Sequence, residues 1–332
     1  MTAPQSFDLP APYTPSHPAE GVIRIWGHGA YAGRVDFVGA LVQAWEAGFR
    51  RYHPNVRFKD NLCGTAAAIG ALYAGVGDLA LMGREIWPPE IAAFEEVFGY
   101  PPTGVDAFTG SLETRNRDYA LAVFVHRDNP LSALTLGQLD AIFSIERRRG
   151  HAPIRYWGDL GQTGAWASQP VNLYGLPIAR GFAQYFEDTV FLGSRIWNPS
   201  LREFPDAPGS HGGSSDGGYR ELTALATDRY GIGYAGLQYA NPGVKAVALS
   251  RDGKEPFVAP TVRSVAERHY PLTRVVRMYF NRPPGQAADP KIAEFLRYLL
   301  SRQAQEIVLE KGHGYLPILA PNAAEQLKAL QT

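Results

Sequence analysis

Three groups of residues in this chain have types and spacing suited to chemistry, and each sits in or beside a glycine-rich turn. The first is Gly27-His28-Gly29-Ala30-Tyr31, where the imidazole of His28 can present an N–H and Tyr31 can stack on a ligand. The second is Cys63-Gly64-Thr65, in which Thr65 offers a hydroxyl at the start of a small-residue helix. The third is the Gly209 to Gly218 stretch, GSHGGSSDGG, whose Ser214, Ser215 and Asp216 stand among glycines able to turn consecutive amides toward an anion. Each has a plain structural reading beside the functional one: a satisfied turn histidine, a helix cap, a core tyrosine and a flexible loop.

Nucleophilic catalysis finds little support. The single cysteine, Cys63, lies beside a glycine, and the chain has no G-x-S-x-G elbow, H-E-x-x-H, P-loop or C-x-x-C pattern. A lone cysteine also excludes an intramolecular disulfide and any multi-cysteine metal site. The expectation is a protein that is not an enzyme and needs no cofactor. The 32 basic and 32 acidic side chains cancel, so no global field holds the chain on nucleic acid or an anionic membrane, and anion recognition has to be local.

The elements that would position these groups alternate between short β-branched runs and amphipathic stretches, the pattern of an α/β fold with mainly parallel sheets flanked by helices. Ile23 to Trp26 reads as a strand, followed by a helix from about Arg34 to Tyr52. Val56 to Lys59, a helix over Ala66 to Tyr73, and a strand over Asp78 to Met82 come next. The turns at Gly27 to Ala32 and Gly64 to Ala68 then fall at the carboxyl ends of strands, the edge where open α/β sheets bind ligands. Asp118 to His126 and Leu272 to Phe280 read as paired crossover strands, forming a hinge. The domain expectation is a Pro-rich leader over 1–20, a first lobe over 21–116 plus 271–332, and an inserted second lobe over 117–270. Helices near Ile292 to Leu300 and Arg302 to Lys311 complete the first lobe. No apolar run approaches the roughly 18 residues of a membrane span. The leader is read as extended or disordered. It shows no basic region followed by an apolar run, and of the two explanations, a cytoplasmic protein or an exported one whose signal was replaced by a start methionine, the second is expected.

The ordered motifs from Val22 to about Ile318 resemble the phosphate-binding family of periplasmic solute-binding proteins of ABC importers. They are Ile25-Trp26-Gly27-His28-Gly29-Ala30, Gly64-Thr65, GDLALMGRE at Gly77 to Glu85, DNPL at Asp128 to Leu131 and LTLGQLDAIF at Leu134 to Phe143. YWGDLG at Tyr156 to Gly161, Ala179-Arg180-Gly181-Phe182, YGIGYAGLQYA at Tyr230 to Ala240, YPLTR at Tyr270 to Arg274 and GHGYLPI at Gly312 to Ile318 complete the series. The resemblance implies a two-lobed receptor that closes on a small anion, held by backbone amides and hydroxyls at helix N-termini. It also implies a monomer that hands its ligand to a membrane permease, located in the periplasm or outside the cell, free or lipid-anchored. On the family's pattern, the binding positions fall at His28, Gly29, Ala30, Thr65, Arg84, Arg180, Gly181 and Phe182.

Several of these positions depart from the family's residue types. Hydroxyls are missing at His28, Gly29 and Ala30, and the Asp that accepts the proton of hydrogen phosphate is replaced around Met82-Gly83-Arg84-Glu85. Arg84 either grips an oxyanion through its fork or pairs with a carboxylate such as Glu85. Arg180 is a cation for the ligand or a solvated surface group, and Phe182 faces an organic ligand or packs. The expectation is weak or absent orthophosphate binding, with a degenerate receptor that serves as a sensor or interaction protein as the alternative.

Overall fold

In the computed structural model, which describes residues 6–31, 34–110, 120–179, 181–207 and 216–331, strand β1 (Gly21–Gly27) buries Ile23 and Ile25 completely and leaves the residues between them partly open. That is the period-two pattern of a strand with one face on a core. The next elements are not a helix: β2 (Ala30–Tyr31) and β3 (Arg34–Val35) pair as a short antiparallel ribbon with Ala30 opposite Val35. Helix α1 (Phe37–Arg50) therefore begins later than the expected Arg34. Asp36 stops any earlier start, because its backbone is extended and its Oδ1 accepts the amides of Val38 and Gly39 at 2.9 and 3.1 Å. The inner face of α1 carries Val38, Leu41, Val42, Trp45 and Phe49, all fully buried.

The chain continues through β4 (Val56–Asn61), a 3-10 turn over Thr65–Ala67, α2 (Ala68–Tyr73), β5 (Leu79–Met82), α3 (Pro88–Phe98) and β6 (Thr103–Thr109). Then come β7 (Leu121–His126), β8 (Ala133–Thr135), α4 (Leu136–Phe143), β9 (Asn172–Gly175), α5 (Gly181–Val190) and β10 (Arg202–Glu203). They are followed by α6 (Gly217–Leu225), β11 (Gly231–Gly236), β12 (Val244–Ala246), β13 (Ala248–Ser250) and α7 (Val262–Ala266). The last elements are β14 (Val275–Phe280), α8 (Pro290–Leu299), α9 (Arg302–Lys311) and α10 (Ala320–Gln331).

Two compact units result, one of Met1–Gly110 with Val275–Thr332 and one of Ser111–Arg274. The sheet of the first unit runs β4-β1-β5-β14-β6. β1 is parallel to both β4 and β5, as strand–helix–strand crossovers require, whereas β14 is antiparallel to β5 and β6. The sheet of the second unit runs β10-β9-β11-β7-β12 and is likewise parallel on one side, β10-β9-β11, and antiparallel on the other. Its core is aromatic: the Phe186 and Tyr234 rings stack 4.3 Å apart, and the buried Trp197 donates its Nε1 proton to Glu187 at 2.6 Å.

Residues 6–20 have no regular structure, as the extended reading of the leader expects, and are held to the first unit at a few points. Tyr13 is buried, and its hydroxyl is anchored by His53 and Glu294. The Ala19 amide donates to Nδ1 of His53, which places the ring proton on Nε2. Nε2 meets the Tyr13 hydroxyl at 2.7 Å, and that hydroxyl donates to Glu294 at 2.6 Å. Burial lowers the His53 pKa against the opposing pull of Glu294, in keeping with a neutral ring inside this relay. Further along, the Arg302 amide donates to the Ala11 carbonyl and the Ala320 amide to Asp8.

Candidate functional site

In the first unit, three chain segments meet where the parallel strands β1 and β5 end. Gly27 leaves β1 beside Leu81, and with φ at 138° a side chain there would strike the Leu81 carbonyl oxygen, so only glycine fits. The His28 amide then donates to that Leu81 carbonyl at 2.9 Å, and the Gly64 amide donates to the Gly27 carbonyl at 2.9 Å. The Gly83 amide, just past β5, donates to Oγ1 of Thr65 at 3.1 Å. Each segment is thereby tied to another, and the ring closes on Gly83. A Cβ at Gly83 would lie 2.7 Å from Cγ of His28 and 3.0 Å from Oγ1 of Thr65. His28, Thr65 and the Gly83 backbone are thus immediate neighbours at the carboxyl edge of a parallel sheet.

The chemistry available at this edge follows from how each group is already engaged. Thr65 does not cap a helix: it is the first residue of the 3-10 turn, and Gly64 in front of it has φ at 138°. Its oxygen accepts from Gly83, and a hydroxyl that accepts a hydrogen bond keeps its own proton for donation to a ligand. Nε2 of His28 is buried without a hydrogen-bond partner among the described residues, 3.9 Å from Oδ2 of Asp36. The N-terminus of α1 is not open to an anion, since Asp36 already occupies it. Gly29, with φ at 154°, lies against Leu62 and Gly39, so it serves close packing of the turn, and Ala30 pairs within the β2–β3 ribbon. Tyr31 contributes its backbone to the same ribbon.

Arg84 is engaged away from this edge. Its guanidinium forms a two-pronged pair with Glu90 at 2.7 and 2.8 Å, donates to the Glu85 carbonyl, and lies 3.8 Å over the Trp87 ring. The other duty of Glu90 is to accept the Trp87 amide at the start of α3. Arg84 thus pairs with a carboxylate, and that carboxylate is Glu90.

In the second unit, Gly181 opens α5 and Phe182 follows in its first turn. The guanidinium of Arg274 lies 4.9 Å from the Phe182 ring centre and 5.6 Å from that of Tyr185, whose hydroxyl donates to the Thr273 carbonyl at 2.7 Å. Arg274 is almost fully buried. Sequence reasoning passed over it, although the YPLTR segment that ends in it was among the recognised motifs. Asp216, which precedes α6, is buried and accepts the Tyr239 hydroxyl at 3.2 Å. Arg180, Ser214 and Ser215 lie outside the described residues. Cys63 is exposed, and among the described residues no group of His, Cys, Asp and Glu side chains could hold a metal ion.

A mixed sheet in each of two units, with a glycine-lined carboxyl edge bearing hydroxyl and imidazole groups, is the architecture of a binding protein, and comparison with known proteins agrees. Residues 36–303 match the family described as PBP superfamily domain, and the chain belongs to that superfamily. The phosphate-binding protein PstS of Pseudomonas aeruginosa is 34% identical over 296 residues, covering 89% of this chain and 84% of that protein. Among solved structures, PstS from Borrelia burgdorferi superposes with a TM-score of 0.58 at 15% identity, covering 90% of this chain and 99% of that one. An ABC-type phosphate transport receptor from Vibrio cholerae gives 0.52 at 20% identity, with 89% and 99% covered. The family resemblance and the fold class read from the ordered motifs therefore hold.

Proposed function

We propose that this protein is an extracytoplasmic solute-binding receptor that captures a small oxyanion and delivers it to an ABC permease, acting as a monomer and performing no catalysis. The observation that carries the reading is the closed ring of contacts among the β1 exit, Thr65 and Gly83, which holds a hydroxyl and an imidazole at one sheet edge. Such a site neutralises an anion with fixed N–H and O–H dipoles and no formal cation, which suits a small, strongly hydrated oxyanion. The locked Arg84 fits this reading, because no guanidinium is then needed at the edge. Arg180, Ser214 and Ser215 enter only through the family match, and Arg180→Ala is expected to weaken whatever anion is bound. The phosphate binders among the relatives make a tetrahedral oxyanion the first ligand to test.

Calorimetric titration with phosphate, arsenate, sulfate, molybdate and tungstate tests the proposal. At least one should bind with a micromolar or tighter constant, with the departures at His28 to Ala30 making phosphate the weaker ligand. Thr65→Val should weaken that ligand about tenfold or more, the effect of removing one hydrogen bond to a charged group, while Thr65→Ser should retain it. A panel with no binder overturns capture, and an unaffected Thr65→Val places the site elsewhere.

A further inference from the structure

The second unit contains a cavity of about 540 Å³ that plays no part in the edge described above. It opens beside β9, lined by the residues leading into the strand and by Asn172, Leu173 and Tyr174 within it. Its walls are mixed: Ile145, Ile154, Val171, Leu173 and Pro199 give apolar surface, and Ser144, Asn172, Asn198 and Ser200 are interspersed with it. Its charged lining is of one sign: Arg147, Arg155 and Arg202 contribute, and no Asp or Glu does.

The carboxylates in the surrounding chain accept hydrogen bonds from groups other than the guanidiniums of the three lining arginines. Glu146 pairs with Arg148 at 2.9 Å, and Glu203 accepts the Ile178 amide at 2.8 Å. Asp159 feels the charge of Arg155 but gives its Oδ2 to the amides of Arg155 and Tyr156, at 2.8 and 2.9 Å. Asp228 accepts from the side chains of Asn172 and Tyr174, and Asp140 from Ser144 and the Arg149 amide. Among the described residues no salt bridge reaches the three lining arginines, whereas Arg127, Arg148 and Arg263 each have an acidic partner.

The frame around the cavity is rigid. The Val171 amide donates to the Arg155 carbonyl at 2.9 Å, and Tyr156 bridges Pro170, so the two rims are tied together. The Asn198 side chain donates to the Ile142 carbonyl, and Ser144 accepts the Arg147 amide. Arg202 lies 4.9 Å over Phe204, which itself stacks on Tyr174, so its guanidinium is held by two aromatic faces.

A pocket within the usual size range for small-molecule sites, lined by apolar side chains and by three arginines with no carboxylate, favours an apolar body carrying an anionic group. We propose that this cavity is a second binding site, specific for an amphipathic organic anion whose carboxylate, sulfonate or phosphoryl group meets Arg147, Arg155 and Arg202 while its apolar part lies against β9. A bare inorganic oxyanion leaves the apolar surface unused and is not its ligand.

The test uses the intact chain and 8-anilinonaphthalene-1-sulfonate as the probe, followed by fluorescence and calorimetry. One saturable site is expected, unaffected by saturating phosphate. Its affinity should fall at least tenfold in Arg155→Ala/Arg202→Ala, with the melting temperature and any oxyanion binding unchanged. N-phenyl-1-naphthylamine, which has the same apolar body without the sulfonate, should bind the unaltered protein at least tenfold more weakly. That comparison needs no variant to fold. No saturable binding, equal affinity for the two probes, or an arginine-depleted variant that binds as well as the parent overturns the proposal.

Discussion

A threonine after a glycine at a strand exit invites two readings, helix cap or ligand contact, and Thr65 does not take the first: it begins a 3-10 turn and caps no helix. Its oxygen accepts the Gly83 amide, a partner 18 positions away, and this bond fixes where the hydroxyl stands at the sheet edge. Arg84 shows the converse, a residue whose type suits anion binding but whose fork is closed on Glu90. Glu46 gave no signal in the sequence. It is buried on α1 beside Asp60, and desolvation together with a hydrogen bond to Asp60 pushes its pKa up from 4.5 to about 9. A carboxyl whose folded pKa lies above its unfolded value contributes stability that is complete below about pH 4.5 and declines as pH rises toward 9. The protein should therefore lose thermal stability across that window. Glu46→Gln should flatten the decline and raise the melting temperature at pH 8 by roughly 5 °C, the shift expected for a few kcal/mol in a chain of this size. Parallel melting curves for the two proteins across pH 5 to 9 would refute the assignment. Neutral burial of Glu46, like the pairing of Arg84, depends on neighbours brought in by tertiary packing, which residue type alone does not reveal.

At the scale of elements, the ring at the carboxyl edge makes the roles of its glycines separable. A methyl at Gly27 would collide with backbone, the Leu81 carbonyl, in a conformation that L residues avoid. A methyl at Gly83 meets only the side chains of His28 and Thr65, at a backbone φ that carries no such penalty. Gly83→Ala should therefore push the imidazole aside, weakening the oxyanion found by titration at least tenfold while lowering the melting temperature by less than about 3 °C. Retained affinity with a large loss of stability would contradict it. The longer strands and helices of the first unit were legible because their apolar periods are long enough to register: β1, β5, α8 and α9 fall within a few residues of where the pattern puts them. The β2–β3 ribbon was not legible, since two-residue strands have no period and Asp36 alone marks where α1 begins. The packed leader was also hidden. Its proline content signals extended backbone, but the anchor at Tyr13 is formed by His53 and Glu294, residues remote in sequence.

For the whole molecule, the balance of 32 basic and 32 acidic side chains bears on how an anion arrives. With no net field to steer it, association should depend on local dipoles, which salt screens weakly over short distances. Stopped-flow association of the bound oxyanion should accordingly change by less than roughly threefold between 20 and 200 mM sodium chloride. A steep decline would reveal a charged funnel that the composition does not suggest.

The place of β14 has a further consequence for how such a chain is made. It lies between β5 and β6 in the first unit's sheet, yet it follows every residue of the second unit in sequence. During synthesis, β1, β4, β5 and β6 emerge long before the strand that joins them, leaving the facing edges of β5 and β6 unpaired. The second unit is continuous and can finish folding while the first still waits, a long-range closure of the kind that slows folding. The order of assembly is thus written into the strand order: the part of the protein made first is the part completed last.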